Sequence, residues 1–408
     1  MTLPLSPPAP ALSAGAPADW GPGTPRWAGT GASDLSDSSA AGRRAAAEAL
    51  GGREAALVIV FASDHHHLED LLEGVRTCAG DAALVGCTTA GEIWTGQAGA
   101  NGVVVFALGG DGLAVSASVS PRASADLRAA GANAAAAALA GQSGAHQVLM
   151  LLTDGLAGDQ NEVVRGAYSV AGASIPLVGG CAGDDMRMAR TRQIFGDSVL
   201  EDAVVAVSIT SDAPLGIGVG HGWIKVGEPL VVTSASGTRV ASLNDRPALD
   251  VYLEQLNPPA QAHTDPVAFT HFAQTHPLGL DRRTGVNIRF VAGADFHTRE
   301  LICIAQVPED GLAYLMEGDA GSVLGATDEA CREALAGLDG HAPLALLAFD
   351  CIARRGVLGD DGIGGEARRM SALAPGAAVA GFYTYGEFAR TQGITGFHNQ
   401  TLVVLAVA

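Results

Sequence analysis

Ala83-Leu-Val-Gly-Cys-Thr-Thr-Ala-Gly-Glu92 is the stretch on which the fold turns. It begins as a strand and runs into glycines that end in a carboxylate. Near the C-terminus Ala377-Ala-Val-Ala-Gly-Phe-Tyr-Thr-Tyr-Gly-Glu387 repeats it, since both read Gly, four residues, Gly-Glu, from Gly86 and from Gly381. A third copy, Pro176-Leu-Val-Gly-Gly-Cys-Ala-Gly-Asp-Asp185, is one residue shorter between Gly179 and Gly183-Asp184. Repetition of this kind decides the architecture, because every copy has to be made from the same supersecondary unit.

What precedes each copy is also repeated. The apolar run 56–62 leads to an amphipathic segment at 67–78 with leucines at 68, 71 and 72. The run 148–152 leads to a helical pattern at 161–171, and 344–349 leads to one around 365–373. Short apolar runs bounded by turn residues read as buried strands, and the longer periodic segments as helices. Strand-like runs at 102–108 and 113–119 add antiparallel neighbours to the parallel pairs. The expected fold is therefore α/β, with mixed sheets built from repeated strand-helix-strand units ending in glycine turns. Two domains are expected, 36–222 and 223–408, behind a disordered Pro/Ala/Gly-rich tail at 1–35, with order beginning near Ser36. The second domain opens with a less helical region, with strands at 229–233, 286–291 and 301–305 and a short helix at 247–256.

Composition narrows the function. Of 408 residues 48% are apolar and 16% charged, the profile of a folded chain. Acidic residues outnumber basic ones 43 to 24, for a net charge of −19, so neither nucleic acid nor an anionic membrane is an expected partner. Mean hydropathy is +0.24, yet the longest apolar runs, 56–62 and 401–408, are strand-sized and far below the roughly 20 residues of a spanning helix. No basic residue precedes Arg26, which argues against a secretory signal and for a cytoplasmic protein. The six cysteines, at 78, 87, 181, 303, 331 and 351, have no CxxC spacing and read as reduced thiols rather than disulfides or zinc ligands.

The glycine turns also suggest a site. Glu92, Asp184, Asp185 and Glu387 offer acceptor-only oxygens suited to a ligand ammonium, and Arg354 a guanidinium suited to a carboxylate. That pairing fits an amino acid. Tyr383 and Tyr385 add apolar walls with polar tips; Cys87, Thr88, Thr89, Cys181, Cys351 and Asn399 complete the candidate ligand-binding set. The alternative is that each carboxylate closes its own turn by capping neighbouring backbone. A catalytic cysteine needs a base that the sequence does not place nearby, so no catalytic residue is assigned. His65-His66-His67 reads as a helix start capped by Ser63 or Asp64, not as a metal site. His271 and His276 sit in an aromatic setting that either shelters an axial haem ligand or is ordinary core. Gly216-Ile-Gly-Val-Gly-His-Gly222 has the look of a nucleotide fingerprint, but a strand follows it and no phosphate-facing helix.

Taken together, Val85-Gly-Cys-Thr-Thr-Ala-Gly-Glu92, Leu177-Val-Gly-Gly-Cys-Ala-Gly-Asp-Asp185 with Thr191 and Phe195, Phe349-Asp-Cys-Ile-Ala-Arg354, Gly381-Phe-Tyr-Thr-Tyr-Gly-Glu387 and His398-Asn-Gln-Thr401 resemble the FIST proteins. Those are intracellular signal-transduction sensors with a FIST N and a FIST C domain. The resemblance implies a sensor that binds a small ligand, proposed for the family to be an amino acid or derivative, and that is not an enzyme and carries no cofactor. It implies output in trans to a partner protein such as a histidine kinase. The alternative it carries is a haem-binding nitric-oxide sensor regulating such a kinase; a cysteine-dependent hydrolase is the second alternative.

Overall fold

The computed structural model describes residues 23–282, 285–390 and 396–408. Three copies of one unit make up most of it. The first runs β1 (Trp27–Ser33), α1 (Ser38–Leu50), β2 (Leu57–Ser63), α2 (Leu68–Ala79), β3 (Ala83–Thr89), a hairpin of β4 (Glu92–Trp94) and β5 (Gln97–Gly99), and β6 (Val103–Gly109). The second repeats that order with β7 (Leu113–Pro121), α3 (Leu127–Leu139), β8 (His146–Thr153), α4 (Gln160–Ala171), β9 (Leu177–Cys181), β10 (Gln193–Phe195), β11 (Ser198–Leu200) and β12 (Ala203–Ser211).

The third unit starts at β13 (Leu215–Gly220) and then hosts an insertion. The insertion comprises β14 (Ile224–Ser236), β15 (Arg239–Leu243), β16 (Arg246–Pro247), α5 (Ala248–Leu256), α6 (Pro266–Ala273), β17 (Leu278–Arg282), β18 (Gly285–Arg289), β19 (Val291–Asp295), β20 (Glu300–Cys303) and β21 (Leu312–Glu317). The unit resumes with α7 (Ala320–Ala336), β22 (Ala345–Cys351), α8 (Ile352–Leu373), β23 (Ala378–Thr384), a hairpin of β24 (Glu387–Arg390) and β25 (Phe397–His398), and β26 (Leu402–Val407).

In each unit the strand before the second helix lies parallel to the strand after it, as β2 with β3, β8 with β9 and β22 with β23. The strands flanking this pair run antiparallel, so all three sheets are mixed. The hairpin after each turn leaves its own sheet. β10 pairs with β3, β24 pairs with β9 and β4 pairs with β23. The exchange is cyclic, and it locks the three units into a ring. Their inner faces share one apolar core, where the Phe61 and Phe382 rings stack at 4.8 Å and Phe349 meets Phe382 edge-on at 5.9 Å. Helix pairs cover the outer faces. The insertion folds its own antiparallel sheet against α5 and α6 around Tyr252 and Phe269.

Gly86, Gly179 and Gly381 stand at the same place in the three units, opposite Val60, Leu151 and Ala348 in the parallel register. A Cβ at any of them would lie 2.0–2.1 Å from the carbonyl oxygen of that opposing residue. No side chain fits there, so the repeated glycine is a packing requirement.

Three expectations change. β1 lies within the stretch read as a tail: it pairs along its length with β6, and Trp27 is buried under Arg53. Residues 1–22 lie outside the described residues. β1 escaped notice because it has no apolar run; Gly29 and Gly31 are bare so that α1 can pack on them, with Ala49 and Ala45 carbonyls where a Cβ would go. Gly216, Gly218 and Gly220 of β13 do the same under α7, which explains the apparent nucleotide fingerprint. The last helix is longer than expected, beginning at Ile352 and broken at Gly359, whose φ is 66°. The expected boundary at 222/223 falls where the insertion begins, and the third unit spans it because β13 pairs with β26.

Gly381→Ala is expected to destabilise the protein by about 3 kcal/mol or more, since the clash is with backbone. Gly325→Ala, inside α7 with open space around its Cα, is expected to stabilise it by about 1 kcal/mol. Urea unfolding of the two variants beside the parent checks both signs.

Candidate functional site

The three glycine turns come together at one end of the ring, each touching the next unit. Ser63, at the end of β2, donates its hydroxyl proton to Asp185 Oδ2 at 2.8 Å. Tyr385 donates to Asp184 and accepts from the Met186 N–H at 2.8 Å. Arg355, from the first turn of α8, donates to the Ala90 carbonyl.

The turn carboxylates mostly satisfy their own backbone. Glu92 accepts from the Thr89 hydroxyl and, at 3.1 Å, from the Gly102 N–H. Glu387 accepts from Thr384 at 2.6 Å and from the hydroxyl and N–H of Thr401 at 2.7 and 3.2 Å. Asp184 accepts N–H groups from Met188, Ala189 and Arg190 at 2.7–2.9 Å as well as the Tyr385 hydroxyl. Burial pushes the Glu92 carboxyl up to about 8 and the Glu387 carboxyl up to about 7, against those hydrogen bonds. At Asp184 burial acts the same way, but the Tyr385 hydroxyl and three N–H donors outweigh it and hold the group below the usual carboxylate range. Glu92 and Glu387 are therefore not ammonium receivers, and the turn-closing alternative is the one the structure shows for them.

Arg354 is not a ligand cation either. It is fully buried and binds Asp350 and Glu366 at 2.6 Å each, with Thr327 at 3.0 Å and the His221 carbonyl at 3.1 Å. Burial pushes the Asp350 carboxyl up against the pull of Arg354. Tyr383 is buried against the same cluster, its hydroxyl 3.3 Å from Glu366. Thr88 and Thr89 are tied into the turns, and Cys87 and Cys181 are buried, the latter accepting from Thr153 at 3.3 Å. These residues build the floor of the site.

A cavity of about 400 Å³ opens above that floor, between the turns and the insertion. Four expected residues line it: Asp185, Cys351, Tyr385 and Asn399. Asp185 Oδ1 and Asn399 Oδ1 are both buried without a hydrogen-bond partner among the described residues, and Asn399 is only 2% exposed. Arg355 supplies the cation. Met186 and Met188 line it, and so do Phe290 and Ile304 of the insertion. Asn101, Gln274 and Asp360 also border it. The sequence reading placed the cation one residue early. Nothing in it pointed to the insertion, although Met186 and Met188, apolar in a polar loop directly after the motif, were a usable signal.

Comparison with known families matches the FIST N domain over residues 56–246 and the FIST C domain over 248–390. This chain belongs to the FIST family. Its domains are associated with signal-transduction sensors. No curated protein matches the chain. Among solved structures it is similar to a cyanuric acid hydrolase from A. caulinodans, at 12% identity and a TM-score of 0.26, covering 46% of this chain and 71% of that one. A likeness that slight has no functional content.

The remaining candidates of this FIST protein lie off the cavity. His271 is exposed on α6, and His276 stacks on Phe272 at 3.9 Å with Nδ1 at 2.9 Å from both the Phe272 carbonyl and Thr275. Neither is among the described residues that line the cavity. Neither Ser63 nor Asp64 caps α2. Its N-cap is His67, whose N–H is taken by Ser38 at 3.0 Å, while Asp64 pairs with Arg192 at 3.1 Å and with Arg187. Among the described residues no group of three or more His, Cys, Asp or Glu is placed to hold a metal ion, and no helix is long and apolar enough to cross a membrane. Burial pushes the thiols of Cys87, Cys181 and Cys351 up, and those of Cys303 and Cys331 to about 12.

Glu92 and Glu387 keep their protons in the folded chain at pH values where the unfolded chain has lost them. Their stabilising contribution is complete below the ordinary glutamate value of 4.5 and disappears as pH rises through about 7 and about 8. The thermal midpoint is expected to fall between about pH 5 and about pH 9, and Glu92→Gln with Glu387→Gln to flatten that fall. Calorimetric scans across the range give the answer.

Proposed function

We propose that this protein is a cytoplasmic sensor that binds an amino acid or a close derivative in the cavity and signals in trans to a partner protein such as a histidine kinase. One observation carries the reading. Asp185 and Asn399, each with a buried acceptor oxygen that has no partner among the described residues, line the same cavity as Arg355. A buried polar atom left unpaired costs about 1–3 kcal/mol, so a ligand that pairs it is favoured by as much. An ammonium has only donors and an α-carboxylate only acceptors, and an amino acid carries the two close together.

In this reading recognition is by side chains alone, with neither cofactor nor turnover. The high-lying thiols support it, because a protonated Cys351 is a poor nucleophile. Binding draws the units and the insertion onto one ligand, which shifts the balance between open and closed packings.

Native mass spectrometry of protein purified without denaturation, followed by calorimetric titration with mixed amino acids, tests the reading. Binding should weaken by about ten- to a hundredfold in Arg355→Ala, the loss of a charged hydrogen bond, with the fold intact. Arg354→Ala should instead lose about 3–5 kcal/mol of stability, because it strands buried carboxyls. Unchanged affinity in Arg355→Ala would sink the assignment.

A further inference from the structure

We propose that the ligand is an amino acid with a bulky apolar side chain, and that the inserted sheet is the element that selects it. The inference rests on the amino-acid reading of the cavity and narrows it.

The charged and polar recognition groups, Asp185, Asn399 and Arg355, belong to the ring of repeated units. The remaining charged lining residue, Asp360, is 3.5 Å from Arg355 and pairs with it. What is left of the lining is largely apolar. Met186 and Met188 are each 52% exposed and Ile304 is 41% exposed, among the most exposed large apolar side chains of the described residues. Isolated exposed apolar residues are ordinary, but three converging on one cavity mark a binding surface.

The backbone holds them in that position. Asp185, Met186 and Met188 have φ of 54°, 66° and 50°, a left-handed conformation that costs each residue about 1 kcal/mol or more. The N–H groups taken up by Asp184 and Tyr385 pin this turn, so the methionines are held out from the core and against the cavity. In the insertion the Ile304 N–H donates to the Phe290 carbonyl at 3.2 Å, which sets these two lining residues side by side. Ile352 and Ala353 add further apolar lining. The volume of about 400 Å³ lies within the range of roughly 300–1,000 Å³ usual for small-molecule sites. A zwitterion anchored on the ring therefore projects its side chain between the methionines and the insertion. Among the described lining residues, the one charged group besides the anchors is Asp360, which already faces Arg355.

The test is calorimetric titration of the full chain with glycine, L-alanine, L-leucine, L-methionine, L-phenylalanine, L-glutamate and L-lysine. L-leucine, L-methionine or L-phenylalanine should bind about ten- to a hundredfold more tightly than glycine, the gain expected from burying one such side chain. Phe290→Ala and Ile304→Ala should each erase about tenfold of that gain, a larger loss than they cause for L-alanine. Both residues are partly or largely exposed, so the variants keep the fold, with circular dichroism as the check. Equal or tighter binding of L-glutamate or L-lysine would overturn the apolar class and leave the amino-acid reading standing. Absence of heat with every member would overturn both.

Discussion

Three contacts between a glycine and a carbonyl hold this structure in its form. Where Gly86, Gly179 and Gly381 meet the neighbouring parallel strand, the two backbones lie closer than any side chain allows. That closeness lets each chain finish its strand flush with its partner and leave through a tight turn towards the next unit. The hairpin that follows completes the sheet of another unit. Ring closure, the shared aromatic core and the convergence of the three turns at one end all follow from it.

The site arises where the repetition is broken. In the first and third copies the carboxylate after the turn glycine is a glutamate long enough to fold back on its own threonine, and burial pushes its carboxyl up. The second copy is shorter. Its Asp184 takes over the turn-closing role with enough N–H donors to remain an anion, and the next residue, Asp185, is released in a left-handed conformation at the cavity. One missing residue thus converts a structural carboxylate into two with separate tasks. The insertion breaks the symmetry a second time, roofing the third unit only and bringing a wall that the other two lack.

Much of the fold was legible in the sequence because its strands are buried on both faces and so contain unbroken apolar runs, as at 57–62 and 345–349. β1 and β13 were hard to see for the opposite reason: their small residues are shaped by the helices they carry, and alternation of glycine does not look like burial. The exchange of hairpins leaves no local trace, since β4 looks the same whichever sheet receives it. The site was legible to the level of the turns and no further. Arg354 and Arg355 are adjacent on a glycine-rich helix start, and which one turns inward depends on Asp350 and Glu366, the latter 12 residues away and brought close only by the fold. The walls from Phe290 and Ile304 are contributed by a segment with no motif at all.

The cyclic exchange also sets an order on the making of the molecule. β4, carrying the buried Ile93, is among the first strands to emerge from the ribosome, yet its partner β23 is among the last. The first sheet waits on β10 of the second unit, the second on β24 of the third, and the third on a hairpin synthesised long before it. No unit completes its sheet from its own strands alone, and the ring closes only once the strands of the third unit are made. Such long-range pairing makes folding slow and leaves sheet edges open meanwhile, so a nascent chain of this topology is one that chaperones have reason to hold.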